Sequence, residues 1–377
     1  MNPPEDAADR ANDNNNYDFT FHTLLDDSAR IEVDPDPIDD ARLDGVSLTE
    51  SIYNYHHENG RTYHAYRAGS YYFPNDQIEV ERLDNQHEII KLLMDGRNYL
   101  APWSKEHPPT KVLDVATGTG RWAVEVGDEF PTAEVIGIDL SPIQPTLVPP
   151  NVSFFVEDAT EDWHEDDLDY VHTRFTTGCW ADMAQDVVAK AFARLVPGGW
   201  LECQEVQDLV YSDDGSLPDD APLLAWCRDI VAAGERARRP LTAAPYLRAA
   251  LEAAGFVDVQ ERVYKLPVNA WPRDPRLKRL GALWQRNLQS GLQAFSYGYM
   301  HRVLGRTKEA IEVSLVDVRK DVANLQIHAY SKFYVVWGRK PAAGERRRGG
   351  SGGGGGDGDG CGGSSSSATP TPTPTIQ

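Results

Sequence analysis

The residues that could do chemistry are concentrated between Lys111 and Ser141, in KVLDVATGTGRWAVEVGDEFPTAEVIGIDLS. Asp114 stands near the end of an apolar run, Gly118 and Gly120 follow, Ala123 comes three residues later, and Asp139 ends the next apolar run. That glycine spacing lets backbone N–H groups approach a ligand at a helix N-terminus, with an acid about 20 residues on for ribose hydroxyls. A dinucleotide would lay its doubly negative pyrophosphate on such a turn. Asp114 opposes this, because like charges about 4 Å apart repel by about 4 kcal/mol at an effective dielectric of about 20.

S-adenosylmethionine brings an ammonium and a sulfonium to the same place, and Asp114 suits both, directly or through water. The glycines then admit its carboxylate and ribose end, where helix N–H groups favour negative charge. Asp139, with Leu140 beside it, is placed to accept from both ribose hydroxyls. After a third apolar run, Asp158 and Ala159 can read adenine through a carboxylate to N6 and a backbone N–H to N1. Singly, each residue has a plainer use: Asp114 as a loop cap, the glycines as a tight turn, Asp158 as one acid in the acidic run EDATEDWHEDD. Their joint order, acid, glycine turn, helix, strand, acid, strand, acid, favours the cationic methyl donor over NAD.

Such a site requires parallel strands whose carboxyl ends converge. The segment QHEIIKLLMDG spaces Ile89, Leu92 and Leu93 as a helix leading into the domain. KVLDVA, AEVIGID, VSFFVED, LDYVHTRF and WLECQEV read as five strands. Between them, Ala123, Val126 and Phe130 share one helical face, and Met183, Val187, Val188, Ala191 and Leu195 another. Helical stretches over about 222–251 and 274–325 flank a sixth strand, VDVQERVYKLPV, and KFYVVWGRK is a seventh. Short alternation of strand and helix predicts an α/β, doubly wound, seven-stranded, mostly parallel sheet with helices on both faces.

Composition sets the limits. Residues 1–50 hold 14 Asp+Glu against 3 Lys+Arg, so −11 of the net −21 lies there, and 1–49 reads as a disordered acidic tail. Residues 342–377 have linker composition ending in a Thr-Pro repeat. The folded body is therefore expected over 50–341, with its cofactor-binding core over about 108–206. A pI near 4.8 argues against nucleic acid as a partner. The chain shows neither an apolar run of membrane-spanning length nor a signal-peptide pattern at its start, so no membrane partner is expected. Cys179, Cys203, Cys227 and Cys361 have no metal-ligand spacing. No metal is expected, and a cytoplasmic or nuclear location is.

The motifs from Glu58 to Pro341 carry a specific resemblance. ENGRTYHAYR, ERLDNQHEIIKLLMDG, TGTGRWAVEV, PPNVSFFVEDATEDW, LVPGGWLECQEV, LPVNAWPRDPRLKRLG and IHAYSKFYVVWGRKP are similar to the LaeA-like methyltransferases of filamentous fungi, within the class I S-adenosylmethionine-dependent enzymes. The resemblance implies a Rossmann-like fold with an antiparallel final strand. It also implies a cofactor site at Asp114, Gly118, Gly120, Asp139 and Asp158–Ala159, with Trp163 as a wall of the adenine pocket. Ala116 stands where the family's motif usually has glycine, a small change expected to be tolerated.

Methyl transfer needs alignment and exclusion of water, and for some acceptors a general base. His172, Arg174, Glu205, His328 and Tyr330 lie near strand ends, but nothing in the sequence singles one out as catalytic. The acceptor pocket is expected under the lead-in at 63–73 and the helical stretches near Trp226 and Trp284–Tyr299, although those aromatics would serve equally as cap core. Two readings follow: an enzyme methylating a small molecule of secondary metabolism, or a regulator of secondary metabolism acting in a protein complex.

Overall fold

The computed structural model describes residues 52–345. The expected acidic segment 1–49, Cys361 and all of the C-terminal segment beyond residue 345 lie outside them. The first element is a hairpin, β1 (His56–Glu58) and β2 (Arg61–Tyr63), closed by Asn59 and Gly60 at φ 57° and 77°. Asp76 then caps α1 (Gln77–Leu93), its carboxylate accepting the Glu79 N–H at 3.1 Å while also holding Arg61 of the hairpin.

Seven strands follow: β3 (Lys111–Val115), β4 (Glu134–Asp139), β5 (Val152–Val156), β6 (Leu168–Arg174), β7 (Leu195–Tyr211), β8 (Val257–Pro267) and β9 (Tyr330–Arg339). Their order is β5-β4-β3-β6-β7-β9-β8, and only β9 runs antiparallel to its neighbours. This is the expected doubly wound sheet. Val112, Leu113 and Val115 of the central β3 are fully buried, as a strand covered on both faces must be. Burying these three side chains contributes about 5–9 kcal/mol relative to exposure.

Helix α2 (Arg121–Glu129) follows the glycine turn and stops before Pro131. A π-helical turn, Ala184–Ala189, runs into α3 (Lys190–Arg194), burying Val187, Val188 and Ala191 on the sheet. The stretch expected as one insertion over 222–251 is two helices with different jobs. α4 (Pro222–Arg236) ends where Arg238 turns to φ 55° before Pro240. α5 (Leu247–Ala254) instead packs Leu247 and Leu251 into the sheet's own core. The second stretch divides likewise into α6 (Pro275–Ser296) and α7 (Lys308–Ala323), separated by a π-helical turn and Gly305. Helices α4, α6 and α7 share a separate apolar core with Tyr297 and Tyr299, which forms a cap beside the sheet. No helix among the described residues is long and apolar enough to cross a membrane.

Candidate functional site

The order of strands reverses at β3, and a cleft opens there at the carboxyl ends of β3, β4, β5 and β6. It encloses about 1250 Å³, open solvent included. The loop after β3 forms its floor. Ala116 lies in the left-handed region at φ 56°, Gly118 at 60° and Gly120 at 73°, and the Thr117 N–H ties the loop to the Ile138 carbonyl at 3.0 Å. The two glycines serve different ends. A Cβ on Gly120 would sit 2.4 Å from Phe154 Cζ, so this residue lets α2 approach β5. A Cβ on Gly118 would meet nothing nearer than Leu83 Cδ1 at 3.9 Å, which leaves the space over the turn open.

Asp139 ends β4 and grips that loop. Its two oxygens accept the Gly118 and Ser141 N–H groups, each at 2.9 Å. Burial, with some help from nearby Asp114, raises its pKa to about 6. Asp114 is held by His172 Nδ1 at 2.7 Å and Thr117 Oγ1 at 2.5 Å. His172 is fully buried and stacks flat on Trp122, 3.7 Å between ring centroids, and burial lowers its pKa to about 4. The ring is thus neutral at ordinary pH and orients Asp114 without cancelling a charge. Asp158 turns one oxygen to the Thr160 N–H and hydroxyl, at 3.0 and 2.7 Å, and the other lies 3.9 Å from Arg67.

The cleft therefore gathers Asp114, Ala116, Gly118, Asp139, Leu140, Asp158 and Ala159 from the sequence expectation. Gly120 sits just behind, at the helix cap. Trp163 is not a wall of the cleft: its indole N–H is spent on the Ala159 carbonyl at 2.9 Å, and the ring lies in the sheet core. Residues the sequence did not indicate are Asn75, Glu79 and Gln86, which line the cleft beside Tyr71 of the expected lead-in. Their only local signal was the Asp76–Glu79 capping pattern, which marks where a helix starts but not what it faces. Among the lining residues five carboxylates (Glu79, Asp114, Asp139, Glu157, Asp158) outnumber three guanidiniums (Arg121, Arg174, Arg239).

A second cavity of about 960 Å³, open solvent included, adjoins the first, and Tyr71, Leu83, Gln86 and Phe175 line both. Tyr71, Phe73, Trp226, Trp284 and Phe295 give it aromatic walls, whereas Tyr297 and Tyr299 belong to the cap core. Below it Glu205 is fully buried and accepts from Thr173, Thr177 and twice from Thr176, at 2.7–3.1 Å. Burial raises its pKa to about 7, and Asp208, at the cavity wall, is raised to about 7 by the same cause. Arg174 lines the cleft but is tied to Gln204, His87 and the Asn98 carbonyl. His328 and Tyr330 pair with Asp214 and Asp213 away from both cavities. Among the described residues, His87, Glu88 and Glu125 bring metal-ligand atoms within 4.8 Å of one another, but Lys91 and Arg121 already pair with Glu125 and Glu88.

A methyltransferase-domain family model matches residues 85–261. Methyltransferase pytC of Aspergillus terreus is 38% identical over 326 residues, covering 86% of this chain and 100% of its own length. The chain belongs to the LaeA-like methyltransferases. The secondary metabolism regulator LAE1 of Cochliobolus heterostrophus is 37% identical over 293 residues, 75% of this chain and 94% of that protein. The probable methyltransferase tdiE of Emericella nidulans is 33% identical over 302 residues, 79% and 92% of the two chains. The methyltransferase uses S-adenosylmethionine, and the cleft fits that group. The excess of carboxylates suits a doubly cationic ligand, and the open space over Gly118 leaves room for one against the backbone.

Proposed function

We propose that the cleft binds S-adenosylmethionine through Asp139 at the ribose, Asp158 and Ala159 at the adenine, and Asp114 with Gly118 at the amino-acid end. The methyl acceptor is a small molecule of secondary metabolism. The bound cofactor would supply an electrophilic methyl group on a sulfonium. The protein's part is to fix that group, exclude water and bring the acceptor into line. Asp139 is preset for its task, because two backbone N–H groups fix its carboxylate while further lone pairs remain for ribose hydroxyls. His172 and Thr117 fix Asp114 in the same way.

The observation that carries the small-molecule reading is the aromatic-walled cavity beside the cleft, a place for a compact apolar acceptor next to the methyl donor. The match to pytC over that protein's whole length supports it. The similarity to LAE1 favours a second reading, a nuclear regulator working within a protein complex. The acidic composition supports neither nucleic acid nor membrane as a partner, and the free thiols at Cys179, Cys203 and Cys227 fit a reducing cytoplasm or nucleus. The test is incubation of the protein with methyl-tritiated cofactor and an extract of fungal metabolites. Label in the organic-soluble fraction is the expected result; label only on precipitated protein would replace this reading with the regulatory one.

A further inference from the structure

The second cavity has more to say about what it takes. Its walls are apolar and aromatic, and some of its polar groups are already engaged. Arg82 is held by Glu79, Gln86 and Asn287, and the Asn287 amide in turn donates to the Arg82 carbonyl at 2.7 Å. Two groups differ. Asp208 has one hydrogen bond among the described residues, a long one of 3.3 Å from the Thr177 hydroxyl. The Trp284 indole N–H is buried with no partner. A buried polar group without a partner costs about 1–3 kcal/mol, so the Trp284 N–H is placed to be completed by a ligand, and the half-buried Asp208 lines the same space.

The backbone explains how Asp208 reaches the cavity. Strand β7 pairs regularly with β9 as far as Gln207–Lys332, then resumes at Val210–Ser331, with Asp208 and Leu209 as the extra residues of a bulge. Bulges re-aim side chains that a regular strand would direct elsewhere.

Resting on the methyltransferase reading above, we propose that this cavity is the acceptor pocket and that it takes an apolar, ring-based hydroxyl compound whose O–H donates to Asp208. A ring carbonyl or ether oxygen on the same molecule would satisfy the Trp284 N–H. An ammonium compound would also pair with Asp208, and the test below separates it from a hydroxyl compound. In the transfer, the acceptor oxygen forms its new bond to the methyl carbon as the carbon–sulfur bond breaks. Sulfur retains that bonding pair, and the hydroxyl proton passes to Asp208 and then to solvent.

The test is equilibrium dialysis of three probes, naphthol, methoxynaphthalene and naphthylmethylamine, against the full chain, with and without saturating S-adenosylhomocysteine. Naphthol should bind at least about tenfold more tightly than methoxynaphthalene, the range of a hydrogen bond to a charged group. Asp208→Leu should abolish that preference while S-adenosylhomocysteine binding shows that the variant is folded, and Asp208→Asn should leave an intermediate preference. The proposal is overturned if naphthol does not bind, if either variant leaves its preference intact, or if naphthylmethylamine binds more tightly than naphthol. Loss of S-adenosylhomocysteine binding by the wild-type protein would instead sink the cofactor reading, and the naphthol comparison without it would still decide the pocket's chemistry.

Discussion

Gly118 and Gly120 stand two residues apart in one turn, yet a methyl added to each should damage different properties. At Gly120, an alanine carries about 1–2 kcal/mol for a left-handed backbone, because φ is 73°. Its Cβ would also sit 2.4 Å from Phe154 Cζ and 2.7 Å from Cε1, and displacing that ring costs about 1–3 kcal/mol. The lower entropy of the unfolded alanine chain returns about 0.5–1 kcal/mol. Gly120→Ala should therefore destabilise the protein by about 3 kcal/mol, lowering the melting temperature by about 6 °C or more. In a Phe154→Leu background the collision is relieved, and the same substitution should cost only about 1 kcal/mol. Gly118→Ala meets no protein atom within 3.9 Å, so its folding cost should stay near about 1 kcal/mol. The added methyl fills the space over the turn, and S-adenosylhomocysteine should bind at least about tenfold more weakly. Urea denaturation and calorimetric titration of the wild type and the four variants supply the numbers. Equal destabilisation by the two alanines, or full cofactor affinity in Gly118→Ala, would refute this division of labour.

Ala116→Gly should raise stability by up to about 1 kcal/mol, since it removes left-handed strain at φ 56° at the expense of chain entropy; thermal unfolding reads the change, and a fall in melting temperature would refute the strain argument. The affinity for S-adenosylhomocysteine should fall as pH drops through about 6. The raised pKa of Asp139 means that its carboxylate, present above that pH, is lost below it. Dissociation constants near pH 5 should be about tenfold those near pH 7, and Asp139→Asn should flatten this dependence if Asp139 is its source.

The sheet was legible because its strands are short apolar runs separated by helical spacing, and a strand buried on both faces needs such a run. Asp114 and Asp139 stood out in the sequence only through their joint order with the glycine turn, since a single acid at a strand end has plainer uses. The hairpin at 56–63 carried its own signal in Asn59–Gly60, a dipeptide that favours two left-handed residues. The two-helix division of 222–251 follows from Arg238 and Pro240, which outweigh an apolar pattern that otherwise continues. What the sequence did not disclose depends on distant chain. Gln86 borders both cavities only because α1 and the lead-in lie over the sheet. Asp208 reaches the second cavity only because β7 bulges against β9, a strand more than 100 residues later. Trp163 was open between a ligand wall and core packing from its sequence alone, and its N–H serves the backbone in the core.

The central claim is that the Asp139 cleft holds the methyl donor, and calorimetric titration of the full chain with S-adenosylhomocysteine tests it most directly. Binding is expected in the micromolar range, unaffected by NAD, and lost in an Asp139→Ala protein that remains folded. Unchanged affinity in that variant, or displacement of the ligand by NAD, would contradict it.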